Sequence, residues 1–309
     1  MNRFFQNSLV LVLAFFAFVQ VAFKIDKKPI IKAEAIEICA HDSSVNYVIV
    51  NRNIAINTYF EYLDSIVKKY DSVTPYKLTE HLLVRANPWI IDTLKNTDYY
   101  IMKARGIKVD NQKEMVILNK GDTIFLPNND LVNKLLKVFN TTLIDLNIPE
   151  YKMRILEDST EKYSFPVRVG RNEKKYLETA GRIIDLKTKT GNGTIIGYNK
   201  NPDYINPVNG HRYYVTKRDD NEVTKLPRIP FIETEINGQR YGQLIHPTTN
   251  PITLGKAYSN GCIGTKESDA WVIYYHAPIN TKITIRYNLH INGEDGNSIT
   301  LKDIYNKEK

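Results

Sequence analysis

The spacing of apolar positions changes part-way along this chain. Ile56, Tyr59, Phe60, Leu63, Ile66, Val67 and Tyr70 recur three or four residues apart and predict an amphipathic helix. A short strand, "NYVIV", precedes it. "TEHLLVRANPWIIDTL" predicts a second helix ended by Pro88, with a third short one after it. "EMVILNKGDTIFLPN" predicts two short strands joined at Lys120-Gly121-Asp122, and "LVNKLLKVFNTTLIDLNIP" a helix and connector. From Tyr151 the period falls to two. "KMRILEDSTEKYSFPVRVG" and "RYYVTKRDDNEVTKL" alternate on either side of polar turns, and Asn237-Gly238 is the strongest short hairpin signal in the chain. "KESDAWVIYYHAP" predicts a short helix stopped by Pro278. "TKITIRYNL" then predicts a closing strand with Ile283, Ile285, Tyr287 and Leu289 on one face.

These periods divide the chain into a small α+β accessory domain over 51–130, a helical connector over 131–149 and a mainly β domain over 150–290. A charged tail, 291–309, is expected to fray. At the other end, an apolar run from Leu9 to Phe23, broken only by Gln20, follows the single early charge of Arg3. It is short for a membrane span and suits a signal-peptide core. No clean cleavage site follows, so residues 1–23 are a signal peptide or an uncleaved N-terminal membrane anchor, and 24–50 a linker with a short strand. Lys24, Lys27 and Lys28, just beyond the run, leave its orientation undecided by the positive-inside rule. The expected location is the periplasm or cell envelope, with anchoring to the inner membrane as the alternative.

Composition narrows the partners. With 42% hydrophobic and 25% charged residues the chain is an ordinary globular protein, and 309 residues suit about two domains. A net charge of +8 suits nucleic acid, an anionic membrane surface or an acidic wall polymer. The basic residues are scattered, without an arginine-rich helix or an aromatic nucleic-acid signature, which argues against nucleic acid.

Cysteine is used twice in 309 residues, and "KAYSNGCIG" places Cys262 in a glycine-rich turn rather than among apolar neighbours. Gly261 permits close approach of a substrate. The N–H groups around Asn260 to Ile263 are expected to converge on an oxyanion if the turn opens the following helix, whose N-terminus would lower the thiol pKa. His246, 16 residues upstream at a strand end, is the obvious base. The competing reading is a structural Cys39–Cys262 disulfide. No histidines stand at metal-ligand spacing, and no metal or other cofactor is expected.

The stretch "IHPTTNPITLGKAYSNGCIGTKESDAWVIYYHAPINTKITI" resembles the signature of the YkuD-type L,D-transpeptidase catalytic domain. His246, Gly255, Lys256, Ala257, Ser259, Gly261, Cys262, Ile263, Asp269 and Ala270 match it in order. Upstream, Asn201, Pro202, Tyr204 and Pro207 fall on the family's "NP-x-[WY]-x-P" pattern. The resemblance spans roughly 150–287 and implies a YkuD-like β-sandwich or barrel-like domain with a short helix after the catalytic cysteine. It implies a cysteine acyltransferase acting on peptidoglycan stem peptides, with Cys262 as nucleophile and His246 as base. Gly261 and Cys262 would supply oxyanion donors, and Ser259 would shape the turn or orient His246. Asn260, Lys256 and Tyr204 would contact substrate. The acyl acceptor would be another stem peptide or a lysine of a wall-attached protein. Three departures stand out: Gly264 replaces the family arginine two after the cysteine, Asn260 replaces a histidine, and Pro247 follows His246. Lys256, Lys266, Arg240 and Arg212 are the candidates for the missing cation. An L,D-carboxypeptidase or wall-protein amidase would share the chemistry, and a silent peptidoglycan-binding protein would lack it. "RANP" and "NKGDTIFLPN" also resemble parts of the LysM wall-binding module, at wider spacing.

Overall fold

Eight strands build the main sheet of the computed structural model, which describes residues 47–293 and 295–307. The apolar run at 1–23, the linker as far as residue 46, and Cys39 lie outside the described residues. The strands are β1 (Leu143–Asn147), β2 (Lys152–Glu157), β3 (Thr160–Pro166), β4 (Gly191–Asn199), β5 (Phe231–Ile236), β6 (Leu244–Pro247), β7 (Ile263–Thr265) and β8 (Lys282–Arg286). Across the sheet they run β7-β6-β5-β4-β8-β1-β2-β3. The β6–β7 and β8–β1 neighbours are parallel and the others antiparallel.

Alternation in the sequence becomes alternation of burial. β2 buries Met153, Ile155 and Glu157 and leaves the residues between them part-exposed. Its turn into β3 is the pair Asp158 and Ser159, both at positive φ (50° and 63°). Asn237 and Gly238 do the same at 51° and 73°, between two 3.0 Å bonds that join Ile236 and Gln239 in both directions. Two-residue turns of this hand match the twist of the strands they join.

The ends of the sheet meet. β7 and β3 are its edges, but two residues beyond β3 the backbone of Arg168 pairs antiparallel with Gly264 of β7. Arg168 N–H donates to the Gly264 carbonyl at 2.8 Å, and Gly264 N–H to the Arg168 carbonyl at 2.9 Å. This bridge closes the sheet into the barrel-like form expected for the mainly β domain.

The helices are α1 (Ile56–Tyr70), α2 (Glu80–Arg85), α3 (Pro88–Lys95), α4 (Tyr99–Ala104), α5 (Asn129–Thr141) and α6 (Glu267–His276). In α6, "ESDAWVIYYH", every residue but Asp269 is buried. A helix without a polar face must be covered all round, and α1 to α3 supply the cover. Tyr59, Phe60, Leu83, Ile90 and Leu94 share one continuous core with Trp271, Tyr274 and Tyr275, as well as Ile155 and Ile245 of the sheet. Polar ties reinforce the contact. The Asp98 carboxylate accepts the Ser268 N–H at 2.9 Å, and Glu80 accepts from the hydroxyls of Tyr274 and Tyr275, each at 3.0 Å.

The segment expected as an accessory domain over 51–130 therefore has no core of its own. Three local expectations also change. The connector over 131–149 is helix only as far as Thr141; Leu143–Asn147 is a central strand of the main sheet, paired along both edges. The two strands at 116–118 and 123–125 do not pair with each other but with Ile54–Ala55 and Tyr47–Ile49. The tail is not frayed over its described length: His290–Asn292 pairs with Ser298–Thr300, and Tyr305 inserts its ring into the core at 2% exposure. One aromatic anchor outweighs the charged residues around it.

Candidate active site

Strand register assembles the site. β6 and β7 pair with Ile245 opposite Ile263 and His246 opposite Gly264. Side chains alternate between faces along a strand. His246 and Gly264 therefore belong to one face, and Cys262 stands in the turn that leads into β7, its Sγ 3.9 Å from the Gly242 carbonyl.

The turn that carries Cys262 is held from within and from behind. Gly261 adopts φ 116°, a conformation closed to residues with a Cβ. Ser259 Oγ donates to the Cys262 carbonyl at 2.6 Å and accepts the Gly261 N–H at 3.2 Å, so Ser259 shapes the turn. Thr188 Oγ1 donates to the Gly261 carbonyl at 3.0 Å, while its N–H donates to the Tyr305 hydroxyl at 3.1 Å. That hydroxyl donates in turn to the Gly170 carbonyl at 2.6 Å. The buried tail residue is thus linked to the cysteine turn through one threonine.

His246 Nδ1 lies 2.9 Å from the Pro247 carbonyl. A carbonyl only accepts, so Nδ1 carries the proton and Nε2 is the proton-accepting nitrogen. Phe231 packs against the imidazole with ring centroids 4.8 Å apart. Burial, helped by the charge of Arg168, lowers the His246 pKa to about 4, against the opposing bond to Pro247. Burial raises the Cys262 thiol, against the Leu244 N–H and Arg168, which favour the thiolate. The resting site is therefore thiol and neutral imidazole.

Two expectations for the turn are corrected here. Cys262 does not open a helix: β7 follows it and α6 starts only at Glu267, so no helix N-terminus lowers the thiol. The Gly261 N–H is engaged by Ser259 Oγ and does not point to a substrate oxygen.

Cys262 is half-buried at the end of a cleft of about 390 Å³. Arg182, Lys187, Lys189 and Arg240 line it, with Asp185 the single acid. Asn260 also lines it, its side-chain oxygen accepting from Arg171. The other two expected substrate contacts are placed elsewhere. Lys256 is exposed and outside the cleft lining. Tyr204 donates its hydroxyl to the Pro227 carbonyl at 3.0 Å and packs edge-on behind Phe231, supporting the wall against which His246 rests. Among the described residues no group of His, Cys, Asp and Glu side chains comes together to hold a metal ion. Among the described residues Cys262 has no disulfide partner.

Sequence reasoning missed Arg168. Of the expected substitutes for the missing cation, Lys256 and Lys266 are exposed, Arg212 pairs with Asp203, and Arg240 lines the cleft. Arg168 instead arrives from the far edge of the sheet, 94 residues before the cysteine, through the bridge that closes the barrel. Only the strand order brings the two together.

With this geometry in place, comparison with known proteins becomes informative. Residues 141–285 match the YkuD family model, described as the L,D-transpeptidase catalytic domain. This stretch, just under half of the chain, is similar to the L,D-transpeptidase catalytic domain. It covers the barrel from β1 to the end of β8 apart from the last residue, with Cys262 and His246 inside it. No curated protein matches the chain by sequence. Among solved structures, an L,D-transpeptidase from Mycobacterium smegmatis aligns over 47% of this chain and 58% of its own, at 14% identity and a TM-score of 0.33. One from Mycobacterium tuberculosis aligns over 47% and 57%, at 16% identity and 0.32. One from Xylanimonas cellulosilytica aligns over 80% of this chain and all of its own resolved segment, at 11% identity and 0.35. The chain spans less than two thirds of the two mycobacterial proteins. Scores this low carry no weight for activity, and the domain assignment rests on the family match.

Proposed function

We propose that this chain is a peptidoglycan L,D-transpeptidase of the cell envelope. The observation that supports the reading is a half-buried thiol lining a cationic cleft, one strand away from an imidazole whose Nδ1 proton is fixed on a backbone carbonyl. A cleft with four cations and one acid suits a stem peptide bearing free carboxylates.

In the reaction, the Cys262 sulfur adds to the carbonyl of the L,D bond as His246 Nε2 takes its proton. The tetrahedral adduct collapses, the D-Ala amine leaves with that proton, and a thioester remains on Cys262. An acceptor amine then attacks the thioester, returns a proton through His246, and restores the thiol. The acceptor is a second stem peptide or a lysine of a wall-attached protein. Water in its place gives L,D-carboxypeptidase activity. The apolar segment at 1–23 would direct the chain to the periplasm as a signal peptide or anchor.

The test is product analysis of disaccharide-tetrapeptide incubated with the full-length protein, beside Cys262→Ala. Cross-linked dimer and released D-Ala, both absent with Cys262→Ala, support the proposal. Tripeptide without dimer moves the activity to carboxypeptidase, and identical products from both proteins refute cysteine catalysis.

A further inference from the structure

Gly264 has no left-handed backbone to account for it. A Cβ placed there would lie 2.8 Å from Arg168 Nε and 3.2 Å from its Nη2, so the guanidinium would have to shift to admit it. Position 264 is glycine because the guanidinium of Arg168 occupies the room a side chain would need. The same two residues make the backbone bridge that closes the barrel, so Arg168 is held at both its main chain and its side chain.

Its surroundings are unusual for a half-buried cation. Nη1 donates to Thr253 Oγ1 at 3.3 Å, while Nε is buried without a hydrogen-bond partner. Among the described residues no carboxylate acts on it; the groups that do so by charge are Cys262 and Tyr258. Buried charges are ordinarily paired. A guanidinium left without a counter-ion beside a nucleophile is arranged for negative charge that exists only during a reaction.

We propose that Arg168 is the electrostatic positioning residue of the site, supplying from the opposite edge of the sheet the cation that Gly264 cannot carry. It favours negative charge on the Cys262 sulfur as the thiol attacks and opposes charge on His246, so the neutral base is kept ready. The other titratable groups around the thiol are His246 on β6 and Arg182, Asp185, Lys187, Lys189 and Arg240 of the cleft wall, with Arg182 exposed. Lys189 is taken up by Asp185 at 2.9 Å and Arg240 is exposed, so solvent screens both more than it screens Arg168. The inference rests on Cys262 being the nucleophile, and its test reads the thiol itself.

The test measures the rate of iodoacetamide alkylation of Cys262 against pH, located by peptide mapping, in the full-length protein. Arg168→Gln should move the midpoint up by about one pH unit or more. Arg168→Lys should move it less. Gly264→Ala retains every charge yet displaces the guanidinium, and should move it in the same direction as Arg168→Gln. Single-turnover acylation by tetrapeptide should fall at least about tenfold in Arg168→Gln, with half-saturation little changed. A folded Arg168→Gln with an unshifted midpoint overturns the proposal. Should that variant not fold, an unshifted midpoint in Gly264→Ala overturns it instead. Failure of the wild-type protein to process tetrapeptide would count against the transpeptidase reading alone, because alkylation needs no substrate.

Discussion

The charge state of the resting pair sets how Cys262 should respond to pH. His246 is lowered to about 4, chiefly by burial, and Cys262 is raised above its ordinary 9.0 for the same reason. Both shifts disfavour moving the proton from sulfur to imidazole at rest, so the neutral thiol and imidazole are the major form. Alkylation of Cys262 by iodoacetamide should accordingly rise about tenfold per pH unit through neutrality, with a midpoint above 9, because only the thiolate reacts. His246→Ala should leave that profile nearly in place while lowering turnover of tetrapeptide by about 10²–10⁴-fold. In wild-type protein, turnover should switch on as His246 loses its proton near pH 4 and persist through neutrality. A flat, fast alkylation rate between pH 5 and 8 that His246→Ala abolishes would refute this reasoning, since it is the signature of a stable ion pair.

Two further predictions concern α6, which packs behind β6 and follows β7. Arg218 Nη1 meets Glu267 Oε1 at 2.5 Å with both side chains 2% exposed, and the same carboxylate accepts the Tyr99 N–H. Glu267→Gln leaves the guanidinium buried without its counter-charge, a loss of about 3–5 kcal/mol that should lower the melting temperature by about 10 °C, whereas Arg218→Met with Glu267→Leu should recover most of it. Asp269 is raised to about 6, chiefly by burial, and its Oδ2 has no partner. Because the folded protein holds this proton more tightly than the unfolded chain, the stabilisation is present below pH 3.8 and lost as pH rises to about 6. Asp269→Asn should therefore raise the melting temperature at pH 7.5, by at most about 3 kcal/mol in stability, and give no gain at pH 3.5. An equal change at both values would refute the assignment.

Local chemistry was the legible part of this sequence. The Asn237-Gly238 turn, the alternation of 152–157 and the span of α6 follow from period and turn residues, and the structure has them where they were expected; 160–166 is a strand but is exposed at every position except Phe165. The unusual setting of Cys262, and a histidine one strand away, singled out candidates for nucleophile and base on residue type alone. Long-range placement was not legible. Nothing within "SFPVRVG" indicates that Arg168 ends beside Gly264, since only closure of an eight-strand order brings position 168 to position 264. Tyr204 matched a motif, but a tyrosine in a motif does not reveal whether its ring faces the cleft or supports Phe231 from behind. The helices of 56–104 read as an independent domain because each is amphipathic; that their shared apolar face belongs against α6 depends on that helix having no polar side of its own. The thiol expectation failed for a nearer reason. A three-residue strand separates Cys262 from the helix whose N-terminus was expected to lower its pKa.

The measurement that bears most directly on the central claim is intact mass of the full-length protein mixed rapidly with disaccharide-tetrapeptide, with Cys262→Ala as control. The account predicts an adduct on Cys262 equal to the tetrapeptide substrate less D-Ala, absent from the control and discharged when an amine acceptor is added. An unmodified protein beside unchanged tetrapeptide, with acceptor present and at pH values from 6 to 9, would contradict it.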